Sequence, residues 1–496
     1  MHSRQLLPVI AATVILALHA ADDITRVENS DLSKPPKNDP VLPAGAIVAR
    51  TTAVSIGACG GFHDATNEQY AAALDFLKFS VMRGNFVHHG VGEIECMKAT
   101  RAAQKTDPSR RVKYYCLTAS YLNDTMPWKQ QQPLILEMAS AGLLWGISGP
   151  NEINNVSTGG GSRGPDDTID KTDAEHFPAN ALDWARKIAA FRKEHAAELA
   201  GVLIAGPDLA PVKGGAADYP ASLNITGLVD YFDFHFYAGS GHQPGLPAGI
   251  NPVVGYFGNV HAWARAAWGP TLRGILSESG ASTDGKNYAK DGISQAKYVA
   301  NQQLDAFSVG CRAAFTYQLF DGDSNSAEYE ANFGLFKSDK VTAKPSGLIL
   351  RRMQDLRSLN NNADDPANLA DTAPFVPGIA SDGLTITGMT FVPTSGSGML
   401  VEHKSDGSSI VWLWNEPPID NHGVNLTPEH NTVTLNFPHG RARAYRIHDT
   451  LAKTSLTAPP FATGSTLAVT LAGYPMAVEV APPAGYTPAG GDPAGP

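Results

Sequence analysis

Two glutamates stand where short apolar runs end. Leu143-Leu144-Trp145-Gly146-Ile147-Ser148 has the length of a strand and leads through Gly149-Pro150 to Asn151-Glu152. Leu272-Arg273-Gly274-Ile275-Leu276-Ser277 leads in the same way to Glu278, followed by Ser279-Gly280. A strand end is a rigid mount, so a carboxyl group placed there is held more tightly than one on a free loop. Two such groups about 5–5.5 Å apart can cleave a glycosidic bond with retention, one protonating the leaving oxygen while the other attacks the anomeric carbon. Taken singly, either glutamate also reads as a solvated loop acid. As a pair they point to Glu152 and Glu278 as catalytic.

Between them lies Val229-Asp230-Tyr231-Phe232-Asp233-Phe234-His235-Phe236-Tyr237. Period-two alternation puts Asp233, His235 and Tyr237 on one face and three phenylalanines on the other, so the polar face must point into a barrel if the phenylalanines pack on helices. His235 reads either as a cleft residue or as a satisfied core histidine. Tyr237 is nearest the strand end. Arg83 interrupts the apolar stretch Val81-Met82-Arg83-Gly84-Asn85 with a charge that is costly to bury alone, which predicts a carboxylate partner, in the cleft or in a structural ion pair. Arg83 and Tyr237 are the expected stabilisers of Glu278 as an anion, and Asn151 with an apolar wall is expected to favour the protonated form of Glu152. Tyr317, in Phe315-Thr316-Tyr317-Gln318-Leu319-Phe320-Asp321, either stacks on a sugar face or fills the core. Asp321-Gly322-Asp323-Ser324-Asn325 faintly resembles a calcium loop but lacks its glycine at position six and its glutamate at position twelve, so no metal is expected. A second Asn-Glu pair, Asn415-Glu416, follows Trp412-Leu413-Trp414 far down the chain and reads as a strand and its turn.

The elements that must hold these residues alternate. Strands are expected at Ile47–Ile56, Phe79–Val87, Val112–Ala119, Leu144–Gly149, Val202–Ala205, Tyr231–Tyr237, Gly274–Ser277 and Ala313–Leu319. Helical spacing recurs between them at Asn67–Leu77, Asn180–Leu199 and Ile293–Phe307. Eight strands with intervening helices predict an α/β fold, a (β/α)8 TIM barrel over residues 46–362, with its active site at the carboxyl ends of the strands. After the helix-like Pro345–Met353 the composition shifts to short alternating runs at Leu384–Thr387, Ile410–Trp414, Thr432–Leu435 and Leu467–Leu471, which predict an antiparallel β-sandwich over residues 363–481. Residues 482–496 form a Pro/Gly/Ala-rich tail.

A chain of 496 residues is too long for one ordinary core. Its net charge of -10 argues against nucleic acid or an anionic membrane as partner and is neutral toward a sugar. Residues 1–20, with Arg4 before an apolar core and Leu18-His19-Ala20 before two aspartates, read as a signal peptide, and 21–45 as a linker. That predicts a secreted or periplasmic product with no inserted span. Cys59, Cys96, Cys116 and Cys311 then allow up to two disulfides in three connectivities. Four glycosylation sequons begin at Asn123, Asn155, Asn224 and Asn425.

Gly149-Pro150-Asn151-Glu152, His235-Phe236-Tyr237, Ser277-Glu278-Ser279-Gly280 and Phe333-Gly334-Leu335-Phe336, in this order and at these strands, resemble glycoside hydrolase clan A, nearest the family 39 and family 5 kinds. The resemblance spans roughly residues 46–360, and Ile153 stands where proline commonly follows Asn-Glu there. It implies Glu152 as acid/base, Glu278 as nucleophile, Asn151 as a ligand of the sugar 2-hydroxyl, Tyr237 as partner of the nucleophile and Arg83 beside it. It implies a β-linked oligo- or polysaccharide as substrate and no cofactor. Two other readings stand beside it: a carbohydrate-binding barrel without turnover, and a metal-dependent barrel hydrolase, which would need clustered ligands that the sequence does not present.

Overall fold

The computed structural model describes the chain in segments between residues 46 and 481, leaving aside residues 1–45, 155–176, 238–254, 359–376, 482–496 and shorter loops. The signal peptide, linker, tail and sequons at Asn123, Asn155 and Asn425 lie outside the described residues.

Eight parallel strands close into a barrel: β2 (Ile56–Cys59), β3 (Val81–Asn85), β4 (Lys113–Leu117), β5 (Leu144–Ser148), β6 (Leu203–Leu209), β7 (Tyr231–Tyr237), β8 (Arg273–Gly280) and β9 (Ala314–Thr316). Helices α1 (Asn67–Leu77), α2 (Val91–Ala103), α3 (Trp128–Ser140), α4 (Phe177–Glu194), α5 (Gly255–Trp268) and α6 (Gly292–Ser308) follow β2, β3, β4, β5, β7 and β8 in turn, α7 (Pro345–Ser358) follows β9, and among the described residues no helix lies between β6 and β7. The start of α1 is set by a capping box: Thr66 accepts from the Gln69 amide while the Gln69 side chain accepts from the Thr66 amide. The barrel interior is filled by Val81, Tyr115, Trp145, Leu203, Ala205, Ile275 and Phe315. Residues of opposite parity pack outward on the helices. Phe232, Phe234 and Phe236 of β7 meet Phe257, His261 and Trp268 of α5, as the alternation in that strand predicts.

The stretch Ile47–Ile56 is not a single barrel strand. Its first residues lie in β1 (Ala46–Val48), which pairs parallel with β12 (Gly396–His403) and antiparallel with β10 (Pro377–Gly378) in the C-terminal sheet, and its last residue, Ile56, enters the barrel in β2. Read as one run, the stretch exceeds the four- and five-residue strands β2 to β5.

The C-terminal region holds two sheets. Six strands run in the order β10-β1-β12-β13-β17-β15, with β13 (Ser409–Glu416), β15 (Ala442–Tyr445) and β17 (Met476–Val480), and three in the order β11-β14-β16, with β11 (Thr385–Thr387), β14 (Asn431–Asn436) and β16 (Thr466–Leu471). Alternation in β13 explains how one sheet serves two cores. Val411 and Leu413 pack on the smaller sheet, whereas Trp412 and Trp414 join the core shared with the barrel helices. Asn415-Glu416 is the end of β13, paired with Ser397 and Gly396, so the second Asn-Glu pair belongs to this sheet.

Candidate active site

The residues singled out in the sequence converge at the carboxyl ends of β3, β5, β7, β8 and β9. Arg83 of β3 is almost wholly buried and is the hub. Its Nη1 donates to Glu278 Oε2 at 2.9 Å, and its Nη2 donates to Asn151 Oδ1 at 2.8 Å and to Asp208 Oδ2 at 2.9 Å. Both readings of its charge therefore hold, since it pairs with a cleft carboxylate and with a fully buried one. Tyr237 donates its hydroxyl to Glu278 Oε1. Both oxygens of Glu278 thus accept a directed donor, which fixes the plane of the carboxylate. Burial, then the charge of Glu278, pushes the Tyr237 phenol well above its ordinary range, so it stays a donor at neutral pH.

Glu152 follows β5 in a turn with φ +47°, a left-handed conformation uncommon for a residue with a side chain. Its Oε1 lies 2.9 Å from Nδ1 of His235, and the same ring's Nε2 lies 3.6 Å from Glu278 Oε2. One imidazole therefore touches both glutamates. His235 is wholly buried. Burial alone would lower its pKa, but the charges of Asp208 and Glu278 and the close contacts with Asp208 and Glu152 raise it well above the usual histidine value. Tyr317, at the end of β9, is partly exposed and forms edge-to-face contacts with Tyr237 at 6.4 Å and Phe333 at 5.5 Å, an aromatic wall beside Glu278.

Two irregularities aim the acids. Along β7 and β8, Phe234 pairs with Leu276 but His235 pairs with Glu278, so Ser277 is an extra residue. Strict alternation would send Glu278 to the helix side once Ile275 points inward; the bulge returns it to the level of His235. Along β6 and β7, Ala205 pairs with Tyr231 but Asp208 with Asp233, which places the extra residue in Gly206-Pro207. Gly206 has φ +134°, and a Cβ there would stand 2.7 Å from the Gly149 carbonyl and 2.7 Å from the Trp184 ring, so only glycine fits the bulge.

Asp208 is the site residue that sequence reasoning missed. The strand expected at Val202–Ala205 stops short of Gly206-Pro207, whereas β6 continues through it to Leu209. The signal was the apolar pair Leu209-Ala210 beyond the Gly-Pro, which leaves Asp208 as a carboxylate inside an apolar run. Below the site, Asp233 Oδ2 accepts from Tyr115 Oη at 2.5 Å and from Ser148 Oγ. Cys59, whose Sγ is 4.0 Å from Arg83 Nη1, is buried, and burial pushes its thiol far above the range in which a thiolate forms. The four cysteines are free thiols in this structure. Asp321, at the calcium-like loop, pairs with Lys344 at 3.0 Å. Among the described residues no helix is long and apolar enough to cross a membrane.

No protein-family model matches the chain, and no curated protein matches it. Solved structures do. A family 39 glycoside hydrolase from the gut symbiont Bacteroides cellulosilyticus WH2 aligns over 88% of this chain and 83% of its own, with 13% identity and a TM-score of 0.51. A family 39 β-xylosidase from Caulobacter crescentus aligns over 88% and 98%, with 14% identity and a TM-score of 0.47. A bifunctional glucanase-xylanase from a metagenome library aligns over 89% and 97%, with 12% identity and a TM-score of 0.49. At these identities the likeness is one of fold, a closed eight-stranded parallel barrel followed in this chain by a β-sandwich, and it is carried by the family 39 glycoside hydrolase.

Proposed function

We propose that this chain is a secreted retaining glycoside hydrolase that cleaves a β-linked oligo- or polysaccharide by double displacement. The observation that carries the reading is the single buried imidazole in contact with both Glu152 and Glu278, at the strand ends where a barrel places its chemistry. Glu278, oriented by Tyr237 and Arg83, is the nucleophile. Glu152 is the acid that protonates the leaving oxygen and then the base that activates water. Asn151, tied to Arg83, faces the substrate, and Tyr317 offers an aromatic face to a sugar ring. The expected signal peptide at residues 1–20 supports export.

A panel of aryl glycosides and polysaccharides tests the activity, and two variants test the roles. Without Glu278 no covalent glycosyl-enzyme forms, so Glu278→Ala should be nearly inactive even toward substrates with good leaving groups. Glu152→Ala should spare the first step for an activated aryl glycoside and stall at the second, and azide should restore its turnover with a retained glycosyl azide as product. A retained azide product from Glu278→Ala instead would reverse the two roles. A barrel that only binds sugar would show saturable binding and no release of aryl alcohol.

A further inference from the structure

Asp208 touches no cleft space, yet it is a full carboxylate placed at the centre of the charged network. Counting hydrogens shows what it does there. Arg83 Nη2 has two, and both are used, one by Asn151 Oδ1 at 2.8 Å and one by Asp208 Oδ2 at 2.9 Å. His235 Nε2, 3.2 Å from the same Nη2, is a third neighbour for two hydrogens and the most distant of the three, so its share of a donor is the weakest. It lies instead 2.7 Å from Asp208 Oδ1, an oxygen that no well-aligned hydrogen bond reaches. Two acceptors at 2.7 Å would repel in a dry interior, so Nε2 must carry a proton, and the attraction is one of charge more than of hydrogen-bond alignment. That leaves Nδ1 as the nitrogen facing Glu152.

We propose that Asp208 is a positioning residue that fixes the proton of His235 on Nε2 and so confines the exchangeable proton of the site to the line between His235 Nδ1 and Glu152. This inference rests on Glu152 as the acid/base and assigns how its proton is held. With Nε2–H fixed, Nδ1 either accepts from the Glu152 carboxylic acid or, once protonated, donates to the Glu152 carboxylate. The two arrangements share one proton. When Glu152 protonates the leaving oxygen, the pair loses that proton. When it takes one from the attacking water, the pair regains it, and the cycle balances. The other tautomer, with a bare Nε2 toward Asp208, would keep an N–H on Glu152 Oε1, so the ring could no longer share the acid's proton on that line. The titratable groups around the ring are Arg83 from β3, Glu152 after β5, Asp208 from β6 and Glu278 from β8, with Asp233, whose carboxyl holds its proton up to about pH 7, on its own strand. Burial opposes the charge of the ring, but the charges of Asp208 and Glu278 hold the imidazole protonated above its ordinary range.

The test uses the full chain labelled with 15N-histidine, with the His235 signals assigned by their loss in His235→Gln. In the wild type Nε2 should stay protonated throughout, while Nδ1 titrates above the ordinary histidine value. In Asp208→Asn the Nδ1 titration should fall by about one pH unit or more, because an adjacent anion has been removed. The alkaline limb of kcat/KM for an aryl glycoside should fall with it. An unmoved His235 titration in Asp208→Asn, or a wild-type ring protonated on Nδ1 with Nε2 bare, would overturn the proposal. If Asp208→Asn does not fold, Glu152→Gln decides: with the acid partner gone, His235 should still hold Nε2–H and titrate above its ordinary value, and a titration at or below that value overturns the role of Asp208. If the wild type cleaves no glycoside, the hydrolase reading fails, and the NMR signals still decide on Asp208.

Discussion

A single guanidinium organises the chemistry of this molecule. Arg83 reaches Glu278, Asn151 and Asp208 from the middle of β3, so the positions of three acceptors on three other elements depend on one buried side chain. Beneath it, Asp233 is a second buried carboxyl with a measurable signature. Burial, and then the charge of Asp208, raises its pKa from 3.8 to about 7, with His235 opposing. The folded state therefore keeps this proton up to about pH 7, while the unfolded chain releases it near pH 3.8. Between those values the folded state binds more protons, so this group makes stability fall as pH rises. Urea denaturation of wild type and Asp233→Asn should show the wild type losing stability relative to the variant across that window. Parallel curves would mean that Asp233 titrates normally.

At the scale of elements, strand irregularities decide which side chains reach the cleft. The bulge at Ser277 brings Glu278 level with His235, and the bulge at Gly206-Pro207 brings Asp208 level with Asp233. Gly206→Ala should destabilise the fold by about 1–3 kcal/mol, because a side chain at φ +134° would press on Gly149 and Trp184. Chemical denaturation reads the loss, and a variant as stable as its parent would show that β6 can be bent otherwise. These bulges also mark what the sequence could reveal. The barrel, the polar face of β7 and the convergence of Arg83, Asn151, Glu152, His235, Tyr237 and Glu278 were legible because periodicity and strand ends report them. Asp208 was not, because a Gly-Pro that bulges a strand looks in sequence like one that ends it. The split of Ile47–Ile56 between two sheets was hidden for a related reason: pairing with β12, some 350 residues away, leaves no local trace.

At the scale of the whole molecule, barrel and sandwich share one core. Arg357 of α7 donates to both oxygens of Glu402 on β12, with neither side chain exposed, and stacks over Trp412 at 5.1 Å. Arg352 donates to the Ile447 carbonyl at 2.6 Å, and Trp414 donates to Asp305 of α6 at 3.1 Å. Arg357→Met should cost about 3–5 kcal/mol, since Glu402 would remain buried without its partner, and Arg357→Met with Glu402→Leu should recover most of it. Thermal unfolding checks both variants. A double variant as unstable as the single one would mean that the pair matters for packing rather than for charge.

The proposed pairing of Glu152 and Glu278 as acid/base and nucleophile is tested most directly by the configuration of the first product. Proton NMR of the anomeric signals during early turnover of a β-glycoside should show the β-anomer first, with the α-anomer growing in only by mutarotation. An α-anomer appearing first would contradict a covalent intermediate on Glu278 and would require the two carboxyls to act across an intervening water.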